Sequence, residues 1–269
     1  MGGIIMTHIT CTFSSVCMET DASFHVLLPS VRNGLLPLTE PLIPESGFPT
    51  LYLLHGIGDS AQSWLLNSQI GLLCDKYRIA VVLPSCQNSF YADSPDGPKA
   101  FSYITSELLD YTRAVFPLSS RREDTFLGGY SMGGYGAVRI GVLCPQLFGK
   151  IFSLSGALEV NAGTSFSRIC GYSMPSHLKN SKALKNTDAD IFYCLEQAAP
   201  KEHSFPPFYI ACGTEDLFVK CAEKFCSRAK ALGLRAVLNL SPGKHDWEYW
   251  SKALSQAVSW LFQEENDLY

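Results

Sequence analysis

Short apolar runs alternate along the chain with longer stretches whose apolar positions recur every three to four residues. The runs read as strands buried on both faces and the longer period as helices that cover them. Together they predict a largely parallel sheet with helices on both sides. Residues 9–14 and 24–28 are apolar segments too close together to hold a helix between them, and they predict an antiparallel opening pair. A Pro- and Gly-rich connection over 29–49 follows. Next come a strand over 51–54, a helix over 61–77 and a strand over 79–83. A long amphipathic helix over 100–116 stops at Pro117, a strand covers 125–129, and a helix over 135–143 is closed by Pro145. Strands over 150–154, 208–212 and 236–240 and helices over 215–232 and 247–263 complete the pattern. The stretch 158–206 is the least regular. Because it lies between two core strands, it reads as an insertion over one end of the sheet, so that 1–269 forms one domain.

Composition narrows the class. At 46% hydrophobic residues the chain can bury a large core. A formal charge of −4 without a Lys/Arg block excludes the basic stripe that nucleic acid requires and the polybasic patch of a membrane-surface protein. No apolar stretch approaches the ~18–20 residues that span a bilayer. The ten cysteines form no Cys-x-x-Cys pair, and several lie inside apolar runs, which fits reduced, buried thiols in a cytoplasmic protein. The first eight residues have neither the charged nor the long apolar region of a secretory leader. There is no His-Glu-x-x-His and no Cys/His array at ligand spacing, so neither metal nor other cofactor is expected. Homo-oligomer formation is compatible with everything above.

The chemistry centres on Gly129-Tyr130-Ser131-Met132-Gly133, between an apolar strand and a helix. A serine lifted out of a sharp strand-to-helix turn needs small residues two positions before and after it, and Gly129 and Gly133 stand there. Its hydroxyl needs a base, and the base needs an orienting acid, in the chain order Ser, acid, His. His245 follows the last predicted strand and is the candidate base, whereas His177 and His203 lie in the irregular insertion and read as surface or cap residues. Asp216, in Cys212-Gly213-Thr214-Glu215-Asp216 at a strand end, is the candidate acid. Glu215 is its competitor, and Asp246 reads as a helix cap. The oxyanion donors are assigned to the backbone N–H of Met132 and of Ile57, the latter in the glycine loop His55-Gly56-Ile57-Gly58-Asp59, where His55 reads as structural. Trp64, Phe90, Tyr91 and Trp247 follow these loops and are candidates to line an acyl or alcohol pocket, with simple core packing the alternative. This constellation is that of the α/β-hydrolase fold, expected as a mostly parallel sheet of about eight strands, with helices on both faces and a small insertion over the active site.

Six segments recur in order. They are 55–64, Asn88-Ser89-Phe90-Tyr91, the run from Gly129 to Ala137, Ser153-Leu154-Ser155-Gly156-Ala157, Cys212 to Asp216, and His245-Asp246-Trp247-Glu248-Tyr249-Trp250. Together they resemble the esterase D superfamily, and within it the bacterial tributyrin esterase group. The resemblance implies cofactor-free hydrolysis of short-chain acyl esters through an acyl-enzyme. Ser131, Asp216 and His245 would be the triad, Ile57 and Met132 the oxyanion donors, and a small-molecule ester the partner. The superfamily also holds S-formylglutathione thioesterases and acetyl-xylan and feruloyl esterases, which are the alternative activities. A binding module that has lost a triad member is the non-enzymatic one, and here every member is present. One departure is Gly128-Gly129-Tyr130 before Ser131, where relatives often carry Ala-Gly-Leu.

Overall fold

Two antiparallel strands open the chain, Thr7–Ser15 (β1) and Thr20–Leu28 (β2), joined by a tight turn. They are followed by Thr50–Leu54 (β3), Ala80–Pro84 (β4), Thr125–Tyr130 (β5), Lys150–Leu154 (β6), Phe208–Gly213 (β7) and Ala236–Ser241 (β8). The computed structural model describes residues 6–29, 43–159, 170–172, 174–180, 182–198 and 205–263. These eight strands form one sheet in the order β1-β2-β4-β3-β5-β6-β7-β8, parallel from β4 onward, as the apolar runs predict.

Every residue of β3 and β4 is buried, and their side chains alternate between two apolar layers. Tyr52, Leu54, Ala80 and Val82 face one layer, whereas Leu51, Leu53, Val81 and Leu83 face the other. The second layer is closed by Ala61–Asn67 (α1), Ile70–Tyr77 (α2) and, at the end of the chain, Trp247–Leu261. The first is closed by Leu108–Val115, Met132–Leu143 and Val219–Ala231. In chain order the helices after α2 are Ala100–Ser102 (α3), Leu108–Val115 (α4), Met132–Leu143 (α5), Ile191–Ala198 (α6), Val219–Ala231 (α7) and Trp247–Leu261 (α8).

Four helices depart from their sequence pattern. The expected helix over 61–77 breaks at Ser68, whose hydroxyl bonds the Trp64 carbonyl at 2.6 Å and accepts the Ile70 N–H at 3.3 Å, replacing helical bonds. The helix over 100–116 contains a π-turn at Tyr103–Glu107. The helix expected from 215 begins only at Val219, because residues 214–218 form the turn that carries Asp216. The helix expected from 135 begins at Met132, directly after Ser131.

β3 has β4 on one side and β5 on the other, so the strand order reverses there. In an open parallel sheet the crevice at the carboxyl ends of such a pair is the place for a ligand. Leu54 lies opposite Gly129 across that pair, which sets the loop at 55–59 beside the turn at Ser131.

The described part of the insertion joins the body. Its helix α6 buries Ile191 and Leu195 in the same layer as α5. The turn before α6 is fastened to α5 by Tyr135, whose hydroxyl donates to the Ala189 carbonyl at 2.7 Å. Arg139, 2% exposed, donates through Nε to the Asp188 carbonyl at 2.7 Å, pairs with the Asp188 carboxylate, and donates to the Tyr91 carbonyl at 3.1 Å. His177 is half-buried in this segment, and His203 lies outside the described residues, as do 30–42 of the connection before β3. All ten cysteines are free thiols. Among the described residues no helix is long and apolar enough to cross a membrane.

Candidate active site

Three loops at the carboxyl edge of the sheet bring Ser131, His245 and Asp216 together. Ser131 occupies a single-residue turn with φ 53° and ψ −116°, a conformation that L-residues rarely adopt. The turn is held by the Ser131 N–H donating to the Leu154 carbonyl at 2.9 Å, while its carbonyl accepts the Tyr135 N–H at 3.0 Å. The bend leaves no room beneath it: a Cβ on Gly133 would stand 2.4 Å from the Leu54 carbonyl oxygen. The small residues read from the sequence are therefore a steric requirement of the turn.

His245 Nε2 lies 2.9 Å from Ser131 Oγ, and its Nδ1 lies 2.9 Å from Asp216 Oδ2. A carboxylate only accepts, so Nδ1 carries the proton and Nε2 is left to accept from the serine hydroxyl. The Asp216 side chain has no exposed surface, and its other oxygen accepts the Phe218 N–H at 2.9 Å. The His245 ring is packed edge-on against Phe218 and Trp250, at 5.1 and 4.9 Å between centroids. Glu215, the competing carboxylate, is exposed, with its N–H tied to the Gly243 carbonyl at 3.0 Å. Asp246 caps α8, its Oδ1 accepting the Tyr249 N–H at 3.0 Å.

The Met132 N–H opens α5, and the first N–H groups of a helix have no acceptor within it. Ile57 sits in a loop pinned from several sides. The Gly58 N–H donates to Asn88 Oδ1 at 2.7 Å, and the Tyr91 hydroxyl donates to the His55 carbonyl at 2.9 Å. His55 is fully buried and bridges two segments: its Nε2 accepts the Cys86 N–H at 3.0 Å, so Nδ1 is the donor to the Gly56 carbonyl at 2.8 Å. Burial holds its pKa below the ordinary imidazole value. His55 thus shapes the loop. Asn88 belongs to a segment already singled out in the sequence, but its bond to Gly58 links positions thirty residues apart and has no local signature.

The four aromatics divide. Trp64 and Tyr91 carry no exposed surface, so neither stands at the open wall of a pocket as expected. Trp64 donates its indole N–H to the Leu54 carbonyl at 3.1 Å and packs with Tyr130 and Trp247, whereas Tyr91 supports His55. Their polar atoms are spent on backbone carbonyls, which is why they are drawn beneath the loops. Phe90 and Tyr91 both adopt positive φ, at 51° and 52°, and the Phe90 ring meets Tyr135 edge-on at 5.8 Å. Trp247 is half-buried at the first turn of α8. Sequence reasoning missed Tyr172, whose exposed ring lies on Gly58, and singled out Tyr130 only as a departure before Ser131, whereas its hydroxyl donates to the Asp59 carboxylate. Among the described residues no group of three His, Cys, Asp or Glu stands at metal-binding proximity.

The Esterase family model matches residues 15–261. An acetyl esterase of Caldicellulosiruptor saccharolyticus is 34% identical over 249 residues, covering 85% of this chain and 91% of its own. The substrate-bound fluorophosphonate-binding serine hydrolase F of Staphylococcus aureus superposes with a TM-score of 0.85 at 26% identity, over 96% of this chain and 99% of the other. An S-formylglutathione hydrolase of the same organism superposes with a TM-score of 0.82 at 26% identity and the same coverage.

Proposed function

From the premise that this chain belongs to the Esterase family and is a serine carboxylic ester hydrolase of the α/β-hydrolase fold, we propose that it hydrolyses short-chain acyl esters through Ser131, His245 and Asp216. The observation that carries the reading is the continuous pair of 2.9 Å contacts from Asp216 through His245 to Ser131 Oγ. Ser131 Oγ attacks the ester carbonyl carbon as His245 Nε2 takes its proton. The resulting oxyanion is received by the N–H groups of Ile57 and Met132. Collapse expels the alcohol, which takes the proton back from His245. Water, deprotonated in turn by His245, attacks the acyl-enzyme by the same path and releases the acid. Asp216 holds the tautomer and stabilises the imidazolium that forms.

The short acyl group is supported by the name of the acetyl esterase relative. Each methylene that fits a pocket gains only about 0.8 kcal/mol, so a pocket that ends early rejects longer chains steeply. Ten free thiols support a reducing, cytoplasmic setting.

The test is a panel of p-nitrophenyl esters from acetate to decanoate, run beside acetylated xylan, methyl ferulate and S-formylglutathione. We expect kcat/KM to peak between acetate and butyrate and to fall by octanoate. A maximum at decanoate refutes the short pocket, and a far higher value on S-formylglutathione makes the protein a thioesterase instead. Ser131→Ala, with its fold intact, should lose about 10⁴–10⁶ of kcat and all labelling by a fluorophosphonate. A tenth of the wild-type turnover in that variant removes the assignment.

A further inference from the structure

Tyr130 is the last residue of β5, one position before the nucleophile, and its side chain turns away from Ser131 into the layer closed by α8. There it holds both ends of the turn that contains Ile57. Its ring lies flush against Gly56, where a Cβ would stand 2.4 Å from Cε2, and its hydroxyl donates to Asp59. The turn between those two grips is closed by the Asp59 N–H donating to the Gly56 carbonyl at 3.3 Å. Three tryptophan rings also pack around the phenol ring. Trp250, Trp247 and Trp64 stand 4.4, 4.7 and 5.0 Å from it, and Trp250 is also a wall of the His245 ring. One side chain, 1% exposed, thereby touches the oxyanion loop, the nucleophile strand and the helix behind the histidine.

We propose that the Tyr130–Asp59 hydrogen bond is the strut that sets the Ile57 N–H at its working distance from Ser131, making Tyr130 and Asp59 positioning residues for the oxyanion hole. This rests on Ile57 being an oxyanion donor. Neither side chain touches the substrate; both act through the loop. Placement of this kind matters because a displacement of about 1 Å in a reacting geometry costs roughly 10²-fold in rate, as does loss of one oxyanion donor, at about 10²–10³-fold. Burial and the neighbouring Asp59 carboxylate raise the phenol pKa, so Tyr130 remains a donor throughout the range in which an imidazole base works.

Tyr130→Phe removes only the hydroxyl, and Asp59→Ala removes the carboxylate that accepts from it. Each is expected to lower kcat for p-nitrophenyl acetate by about 10–100-fold, with KM changed less than about twofold. The Ki of a methyl trifluoromethyl ketone, to which Ser131 adds to form a hemiketal oxyanion, should weaken by the same factor. Asp59→Asn retains an oxygen acceptor and should recover most of the lost rate. The double variant Tyr130→Phe/Asp59→Ala should be no worse than either single one, because both remove the same bond. Unchanged kcat in Tyr130→Phe, or a rise in KM at constant kcat, overturns the proposal. So does a ketone Ki that stays at its wild-type value while kcat falls. Failure of the parent reading is seen separately, as turnover retained by Ser131→Ala.

Discussion

At the scale of single residues, burial and direction are what favour Asp216 as the proposed acid. Asp216 and Glu215 are neighbours on one turn, yet only Asp216 is shielded from water and spans His245 Nδ1 with one oxygen and the Phe218 N–H with the other. Asp216→Asn keeps the shape but offers an amide that can present its N–H to the imidazole, favouring the wrong tautomer. Its kcat should fall by about 10⁴, while the exposed Glu215→Gln stays within roughly twofold, since exposed substitutions of this kind rarely matter. Steady-state kinetics of the two purified variants decide the matter, and a crippled Glu215→Gln would shift the acid by one position. The sequence could rank the two carboxylates because only one geometry at a strand end reaches a following loop. It could not show Tyr130 reaching Asp59, because those positions are seventy-one residues apart and are brought together by β3–β5 pairing. Trp64 and Tyr91 were legible as aromatics beside catalytic loops, but their hydrogen bonds to the carbonyls of Leu54 and His55, which draw them inward, were not.

At the scale of elements, strands were the legible part. Residues 51–54 and 80–84 are apolar without interruption because both faces are covered, and that pattern survives translation into three dimensions unchanged. Helix boundaries depended on partners far along the chain. The π-turn at Tyr103–Glu107 ends at a carboxylate that accepts the Val16 and Cys17 N–H groups of the β1–β2 turn, at 2.8 and 3.2 Å, and also the Ser15 hydroxyl. No periodicity in 100–116 contains that turn. Arg139 shows the same dependence: within α5 it reads as an anomalous charge on an apolar helix, and in space it fastens the insertion and the Tyr91 loop to α5. Replacing it with methionine keeps the stem and removes hydrogen bonds from a charged donor, each worth about 1.5–3 kcal/mol. Counting only the bonds to the Asp188 and Tyr91 carbonyls, about 3–6 kcal/mol in all, Arg139→Met should melt roughly 6–24 °C lower, at about 2–4 °C per kcal/mol for a chain of this size, and expose the segment before α6 to protease sooner. An unchanged melting temperature with unchanged proteolysis would show that the insertion docks without it.

At the scale of the whole molecule, stability and turnover meet acid differently. Burial holds His55 below the ordinary imidazole pKa, and the more exposed His25 and His177 are lowered in the same direction. A lowered folded-state pKa means that the unfolded chain binds the proton first. The stability these histidines contribute is therefore full above about pH 6.5 and is lost as pH falls from there toward the folded-state pKa, by at most about 1.4 kcal/mol per pH unit for the fully buried His55 and by less for the two that solvent screens. Urea midpoints measured at pH 7.5, 6.0 and 5.0 should decline in that order, and a flat series would mean that His55 protonates inside the fold. Ser131 acts on the same balance at every pH. Its φ of 53° and ψ of −116° are tolerated by glycine and resisted by any side chain, so the native state carries a cost of about 1–3 kcal/mol at this one position. A glycine there relieves that cost but loosens the unfolded chain by about 0.5–1 kcal/mol. Ser131→Gly should then be inert as an esterase yet melt at or above the wild-type temperature. Stability alone would therefore favour glycine at the position of the proposed nucleophile, which is the opposite of what catalysis there would require.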